Sequence, residues 1–190
     1  MPFKQYQAPN YFLYKKKIKR SYLYVRHLRQ EDLNTLYDWF NHPSARRFWN
    51  MQLSQSELLA YFENQKHSTS HRIFIICHGK MPIALSEVYE ASRSELAFHY
   101  TARRYDYGIH LLMAPPRNIV YLKQLIGKVS LSVLLTIIEM LFKSDSVKRI
   151  IAEPDINNTC AQHLALAAGF QFVKDLQLSD KVAKLYIISR

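Results

Sequence analysis

Asp106-Tyr107-Gly108-Ile109-His110-Leu111-Leu112 is the stretch on which the reading of this chain turns. It is short and apolar, which predicts a buried strand. An imidazole inside such a strand costs free energy unless it is hydrogen-bonded or functional. His110 is therefore either a catalytic group or a satisfied core histidine, and the two readings give different proteins.

Working outward, the strand runs on to Met113 and is stopped by Pro115-Pro116. A long amphipathic helix follows from about Lys128 to Lys143, then a strand over Val147–Ala152 and a break at Glu153-Pro154-Asp155. Asn157 or Asn158 caps a helix that ends at Gly169, and Phe170–Lys174 and Val182–Ser189 are closing strands. Towards the N-terminus, Met81–Tyr89 pairs with Arg72–His78 across a Gly79-Lys80 turn, and Glu95–Tyr100 starts a further strand. Ser54 and Glu57 make a capping-box pattern for a helix to about Gln65. Arg46–Asn50 reads as a loop or short turn. The helix holding Leu33, Leu36, Tyr37 and Phe40 ends at His42-Pro43, and Ser21–His27 alternates as a strand. Residues 1–20 read as an irregular, basic N-terminal extension and 21–190 as one domain of the α+β or mixed α/β class.

A chain of 190 residues with 48% hydrophobic content is long and apolar enough for one sizeable core. No apolar run is long enough to span a bilayer and no signal peptide is seen, so a cytoplasmic location is expected. Cys77 and Cys160 stand far apart and read as reduced. Six of the positive charges behind the net +11 lie in residues 1–20, which hold no acid; the other 170 residues carry +5. That moderate excess suits a phosphate-bearing small ligand as well as nucleic acid, and no nucleic-acid module signature is present. The Lys15–Lys17 cluster reads as a solvated segment.

Before the long helix stands Gln124-Leu125-Ile126-Gly127-Lys128-Val129, where helix N–H groups and the macrodipole favour phosphate. It resembles the Q/R-x-x-G-x-G/A pyrophosphate loop of the GNAT N-acetyltransferases, with Val129 where the pattern has Gly or Ala. Read without the pattern, it is a plain helix start. Arg149 to Asn158, followed by Ala168-Gly169-Phe170, resembles the strand, Asn-capped helix and Gly-Phe signature that closes these domains. Six motifs occur in order: Asp32-Leu33; Trp39 with Asn41-His42-Pro43; Arg47-Phe48-Trp49-Asn50; Glu87-Val88-Tyr89; Asp106-x-Gly108-x-His110-Leu111-Leu112; and Glu153-Pro154-Asp155-x-x-Asn158. The series is similar to the siderophore-biosynthesis N-acyltransferases, which acylate N-hydroxylated lysine, ornithine or diamines to hydroxamates. The similarity spans about residues 22–190.

The resemblance implies a single acetyltransferase-like domain, with a central, mostly antiparallel sheet flanked by helices. It also implies direct transfer from an acyl-CoA, acetyl-CoA foremost, without a metal. The thioester would lie where the sheet splays after His110, with backbone contacts from Leu112 and Met113. Gln124, Gly127 and Lys128 would hold the pyrophosphate, with Asn158 also on the cofactor side. His110 and Asp155 match positions that the family uses in catalysis. Phe48, Trp49, Glu87 and Asp106 would face the acceptor. An N-hydroxylated amine is less basic than an alkylamine and largely neutral at pH 7, so a histidine titrating near neutrality is a suitable base.

Each residue has a plainer reading. Asp155 also fits a helix cap, Asp106 a surface salt bridge, Glu87 an outward-facing strand position, and Phe48, Trp39 and Trp49 ordinary core aromatics. His99 and His163 read as structural or solvent-facing. Many acetyltransferases carry a tyrosine acid four residues before the terminal Gly-Phe; here that residue is Ala165. The segment Arg117–Gln124 is long and lacks the usual glycines. The expected partners are a small N-hydroxylated amine and acyl-CoA, with no nucleic acid and no membrane, in a monomer or homodimer. Two alternatives stand beside this. One is an aminoglycoside-type N-acetyltransferase, disfavoured by 15 acids against 26 bases. The other is a non-catalytic acyl-CoA-binding or basic nucleic-acid-binding module.

Overall fold

The Gly79-Lys80 turn closes a hairpin of β3 (His71–His78) and β4 (Met81–Glu90), and Gly79 takes a φ of 61°, which side chains disfavour. The computed structural model describes residues 13–49, 54–126 and 128–190. Among these, β1 (Tyr14–Ile18), β2 (Ser21–His27), β5 (Asp106–Met113), β6 (Arg149–Ala152), β7 (Gln171–Gln177) and β8 (Val182–Ser189) extend the hairpin. They form one sheet of order β1-β2-β3-β4-β5-β6-β8-β7. Every neighbouring pair is antiparallel except β5–β6.

Strand periodicity sends alternate residues to opposite faces, and each face has its own helices. Phe74, Ile76, Val88, Tyr107 and Ile109 pack towards α6 (Val129–Phe142) and α7 (Thr159–Ala167). Ile73, Ile75, Cys77, Leu85 and Leu112 pack towards α1 (Leu33–Asn41), α2 (Pro43–Trp49) and α3 (Gln55–Lys66). The capping box at Ser54 is present: its hydroxyl accepts from Glu57 N–H at 3.3 Å, and the Glu57 carboxylate accepts from Ser54 N–H at 2.8 Å. Asn158 is the cap of α7, its side chain accepting from Ala161 N–H at 3.1 Å.

The parallel pair is short. Asp106, Tyr107 and Gly108 pair with Arg149, Ile150 and Ile151. Beyond Gly108, β5 stays with β4 up to Met113 while β6 stays with β8. The sheet therefore opens before His110, two residues earlier than expected. Asp106 pins the closed end. It is fully buried, ion-paired to Arg149, and accepts from the Tyr100 hydroxyl at 3.1 Å and from Arg103 N–H at 2.8 Å.

Three local expectations need correction. Tyr14–Ile18, read as irregular, is an edge strand, because Ser21–Val25 of β2 offers it a complete antiparallel register. Residues 46–49, read as a loop, belong to α2; Pro43 ends α1 and also begins the next helix, a position proline favours. Glu95–Phe98 is a 3₁₀ turn rather than a strand. β4 pairs directly with β5, so this segment has no sheet edge to join; Leu96 is buried instead against Ala91 and Leu185, and Phe98 points outward. Two short helices, α4 (Pro116–Ile119) and α5 (Leu122–Ile126), connect β5 to α6. Among the described residues no helix is long and apolar enough to cross a membrane.

Candidate active site

A cavity of about 730 Å³ occupies the opening between β5 and β6. His110, Leu111 and Met113 line it from β5; Ala152 at the end of β6, with Glu153, Pro154 and Asp155 after it, lines the other side. Phe48 and Trp49 of α2 close one end, and Lys128, Val129 and Ser130 at the start of α6 close another.

Antiparallel register sets Glu87 of β4 directly opposite His110. The His110 Nδ1 lies 3.2 Å from Glu87 Oε2, and its Nε2 lies 2.5 Å from Glu153 Oε1. Both carboxylates are buried, whereas the His110 side chain keeps 38% of its surface open. Tyr61 of α3 donates its hydroxyl to Glu87 at 2.6 Å, and Tyr89 of β4 donates to Glu153 at 2.9 Å. Lys181 Nζ stands 4.0 Å from Glu153. Trp49 meets the His110 ring edge-on at 5.9 Å between centroids.

Burial alone would lower the His110 pKa. The carboxylates of Glu153 and Glu87 outweigh it and raise it to about 10. Burial likewise works against ionised Glu87 and Glu153, and the charge and hydrogen bonds of His110 carry both below the usual carboxylate range. At neutral pH the three groups thus share one proton as an imidazolium between two carboxylates. They titrate as a unit rather than as a histidine near neutrality.

Gly108 makes this arrangement possible. It faces Tyr89 across the ladder, and a Cβ at position 108 would fall 2.1 Å from Tyr89 Cζ. The bare backbone lets the Tyr89 ring lie over β5 and reach Glu153.

The residues expected from sequence fall into groups. His110, Glu87, Phe48, Trp49, Met113, Lys128, Asp155 and Asn158 all line the cavity. Among the described residues Glu87 and Glu153, not Asp155, partner the His110 nitrogens; Asp155 Oδ1 accepts from Asn157 N–H at 2.7 Å, as a turn-forming residue does. Asp106, expected on the acceptor side or in a surface salt bridge, stands in neither place, because the Arg149 guanidinium holds it buried between β5 and β6. Leu112 is buried in the core on the α1–α3 face, and Gln124 is exposed on α5. Gly127 and Asn50 lie outside the described residues. Glu153, Tyr89 and Tyr61 are the members that sequence reasoning did not select. Glu153 and Tyr89 belong to the motifs that carry the family resemblance, and an acid closing a buried strand is a usable signal.

The α6 end of the cavity suits an anion. No described side chain caps the first turn of α6, which leaves its N–H groups free beside the exposed Lys128. Leu131, Leu134, Leu164 and Phe170 give an apolar wall next to it. A phosphate-bearing acyl carrier with an apolar arm fits these surroundings.

Residues 29–178 match the family described as acetyltransferase (GNAT) domain. An N-hydroxyputrescine acetyltransferase of Acinetobacter baumannii is 24% identical over 179 residues, 94% of this chain and 82% of that protein. An N(6)-hydroxylysine O-acetyltransferase of Escherichia coli is 25% identical over 154 residues, 80% of this chain and 47% of that protein. An aminoglycoside acetyltransferase, AAC(6')-Ib in complex with coenzyme A, shares the fold with a TM-score of 0.76 at 19% identity, covering 88% of this chain and 95% of that one. With a family match over most of its length and a sheet that parts around an ionisable cluster, this chain belongs to the acetyltransferase (GNAT) domain family and is an N-acyltransferase.

Proposed function

We propose that this protein transfers the acyl group of an acyl-CoA, acetyl-CoA foremost, to the nitrogen of an N-hydroxylated amine. The product is a hydroxamate of the kind used in siderophores. The observation that carries the reading is His110, open to the cavity and held between the buried carboxylates of Glu87 and Glu153. The names of the two relatives, each an acetyltransferase for an N-hydroxylated amine, support it.

An attacking amine nitrogen must shed one proton as the new N–C bond forms. With His110 already an imidazolium, the recipient in the Glu87–His110–Glu153 cluster is a carboxylate, and the attacking nitrogen, made acidic by its new bond to the acyl carbon, can protonate it. An N-hydroxylated amine arrives neutral near pH 7 and brings only that proton. An alkylammonium must lose a proton before it can attack and a second as it attacks, and carboxylates held below their usual range are poor recipients for the first. Trp49 and Phe48 line the cavity beside His110 and give the alkyl part of the acceptor an apolar contact. Lys128 and the free N–H groups of α6 hold the phosphates of the donor, whose thioester supplies the activated acyl group.

The test is a panel of N6-hydroxylysine, N5-hydroxyornithine, N-hydroxyputrescine, their parent amines and an aminoglycoside, each with acetyl-CoA. Free CoA is followed together with the colour that ferric iron gives with hydroxamates. We expect CoA release and ferric colour with at least one hydroxylamine and much slower release with its parent amine. Equal rates for hydroxylamines and parent amines sink the proposal.

A further inference from the structure

A second imidazole stands behind the cluster, outside the proton transfer at His110. His71 begins β3, and its ring meets that of Tyr89 at 6.2 Å. Its Nε2 is buried and has no hydrogen-bond partner among the described residues, yet it lies 3.8 Å from Glu87 Oε2. An unsatisfied buried nitrogen is destabilising, so its persistence beside a carboxylate asks for a reason. The His71 side chain retains 18% exposure, while its Nε2 is buried.

The reaction has a proton with nowhere to go. Ala165 lines the cavity where related enzymes carry a tyrosine, and a methyl group gives the departing sulfur no proton. The N–C bond forms, the C–S bond breaks with its electron pair leaving on sulfur, and the nitrogen's proton passes to Glu87–His110–Glu153. The thiolate is protonated by water, so the cluster must return its proton to water before the next turnover. Both His110 nitrogens are engaged, and Glu87 is the member that faces a second imidazole.

We propose that His71 is that path: it takes the proton from Glu87 through Nε2 and releases one to solvent from its other ring nitrogen, Nδ1. The inference rests on the reading of the site given above. His71 touches neither acceptor nor thioester and acts only through Glu87. The groups around it are Glu87 and the Tyr89 ring on β4, His110 on β5 and Arg72 beside it in the chain. Burial, with the charges of His110 and Arg72, keeps the ring neutral against the pull of Glu87. It therefore starts as an acceptor and holds a proton weakly enough to pass it on.

The experiment compares wild type, His71→Phe and His71→Gln with the preferred hydroxylamine and acetyl-CoA, in a weak buffer and then with added imidazole. Phenylalanine keeps a ring against Tyr89, and glutamine keeps a polar group near Glu87, so loss of fold in one variant leaves the other to be read. We expect kcat to fall roughly tenfold, less than for loss of a group that takes the proton directly, with KM for acetyl-CoA unchanged. Imidazole should restore most of the loss in the variants and leave wild type unaffected, a result that a packing role does not produce. Unchanged kcat, or a loss that imidazole does not recover, overturns the relay while wild-type turnover leaves the reading of the site standing. A wild type that turns over no hydroxylamine overturns both.

Discussion

At the residue scale, His110 couples the stability of the fold to pH. Its folded pKa of about 10 lies above the unfolded value of about 6.5, so its contribution is complete below pH 6.5 and is lost as pH rises towards 10. Glu87 and Glu153 act in the other direction. Their folded values lie below 4.5, so their contribution is complete above that and is lost as pH falls through the folded values. The melting temperature should therefore fall between pH 6.5 and 10 in wild type, and this alkaline decline should shrink in His110→Gln. The same substitution should lower kcat by about 10²-fold or more, the effect of removing a proton-transfer group. A melting temperature that declines equally in both proteins would show that His110 is not the titrating group. The residue also illustrates what a single position conceals. An imidazole in an apolar strand was legible as an anomaly, but its partners were not, since Glu153 lies 43 positions away on the far side of the parallel pair.

At the scale of elements, the β4–β5 ladder depends on a residue with no side chain. Gly108→Ala puts a methyl group into the Tyr89 ring, which must move and so release Glu153. We expect a stability loss of about 1–3 kcal/mol in urea unfolding, the usual cost of overpacking, together with lower kcat. Tyr89→Ala in the Gly108→Ala background should recover part of the stability, and strict additivity of the two changes would refute the clash. Elements marked by local chemistry, such as the hairpin at Gly79, the cap at Ser54 and the cap at Asn158, could be read from the chain. Two others could not, because non-local geometry decides them. Pro43 serves as a stop and a start at once, and Glu95–Phe98 has a strand-like pattern but no vacant edge to pair with. Asp106 belongs with these, since its role depends on Arg149 of a strand that sequence cannot dock.

At the scale of the whole molecule, the basic extension is partly architecture. Lys15, Lys16 and Lys17 lie along edge strand β1, and Lys16 pairs with Glu139 of α6 at 2.5 Å. Lysines on an edge strand discourage pairing with other chains. Removing residues 1–20 makes β2 the edge, so we expect the truncated protein to scatter light on concentration and to melt lower. A truncated chain as soluble and stable as the full one would show that β1 is dispensable. The opening between β5 and β6 has a consequence of another kind. It passes through the sheet, with α6 and α7 on one face and α1, α2 and α3 on the other. Donor and acceptor can then enter from opposite sides, neither blocking the other, and meet only when both are seated. Initial-rate lines for the two substrates should therefore intersect rather than run parallel, and neither product need depart before the second substrate arrives.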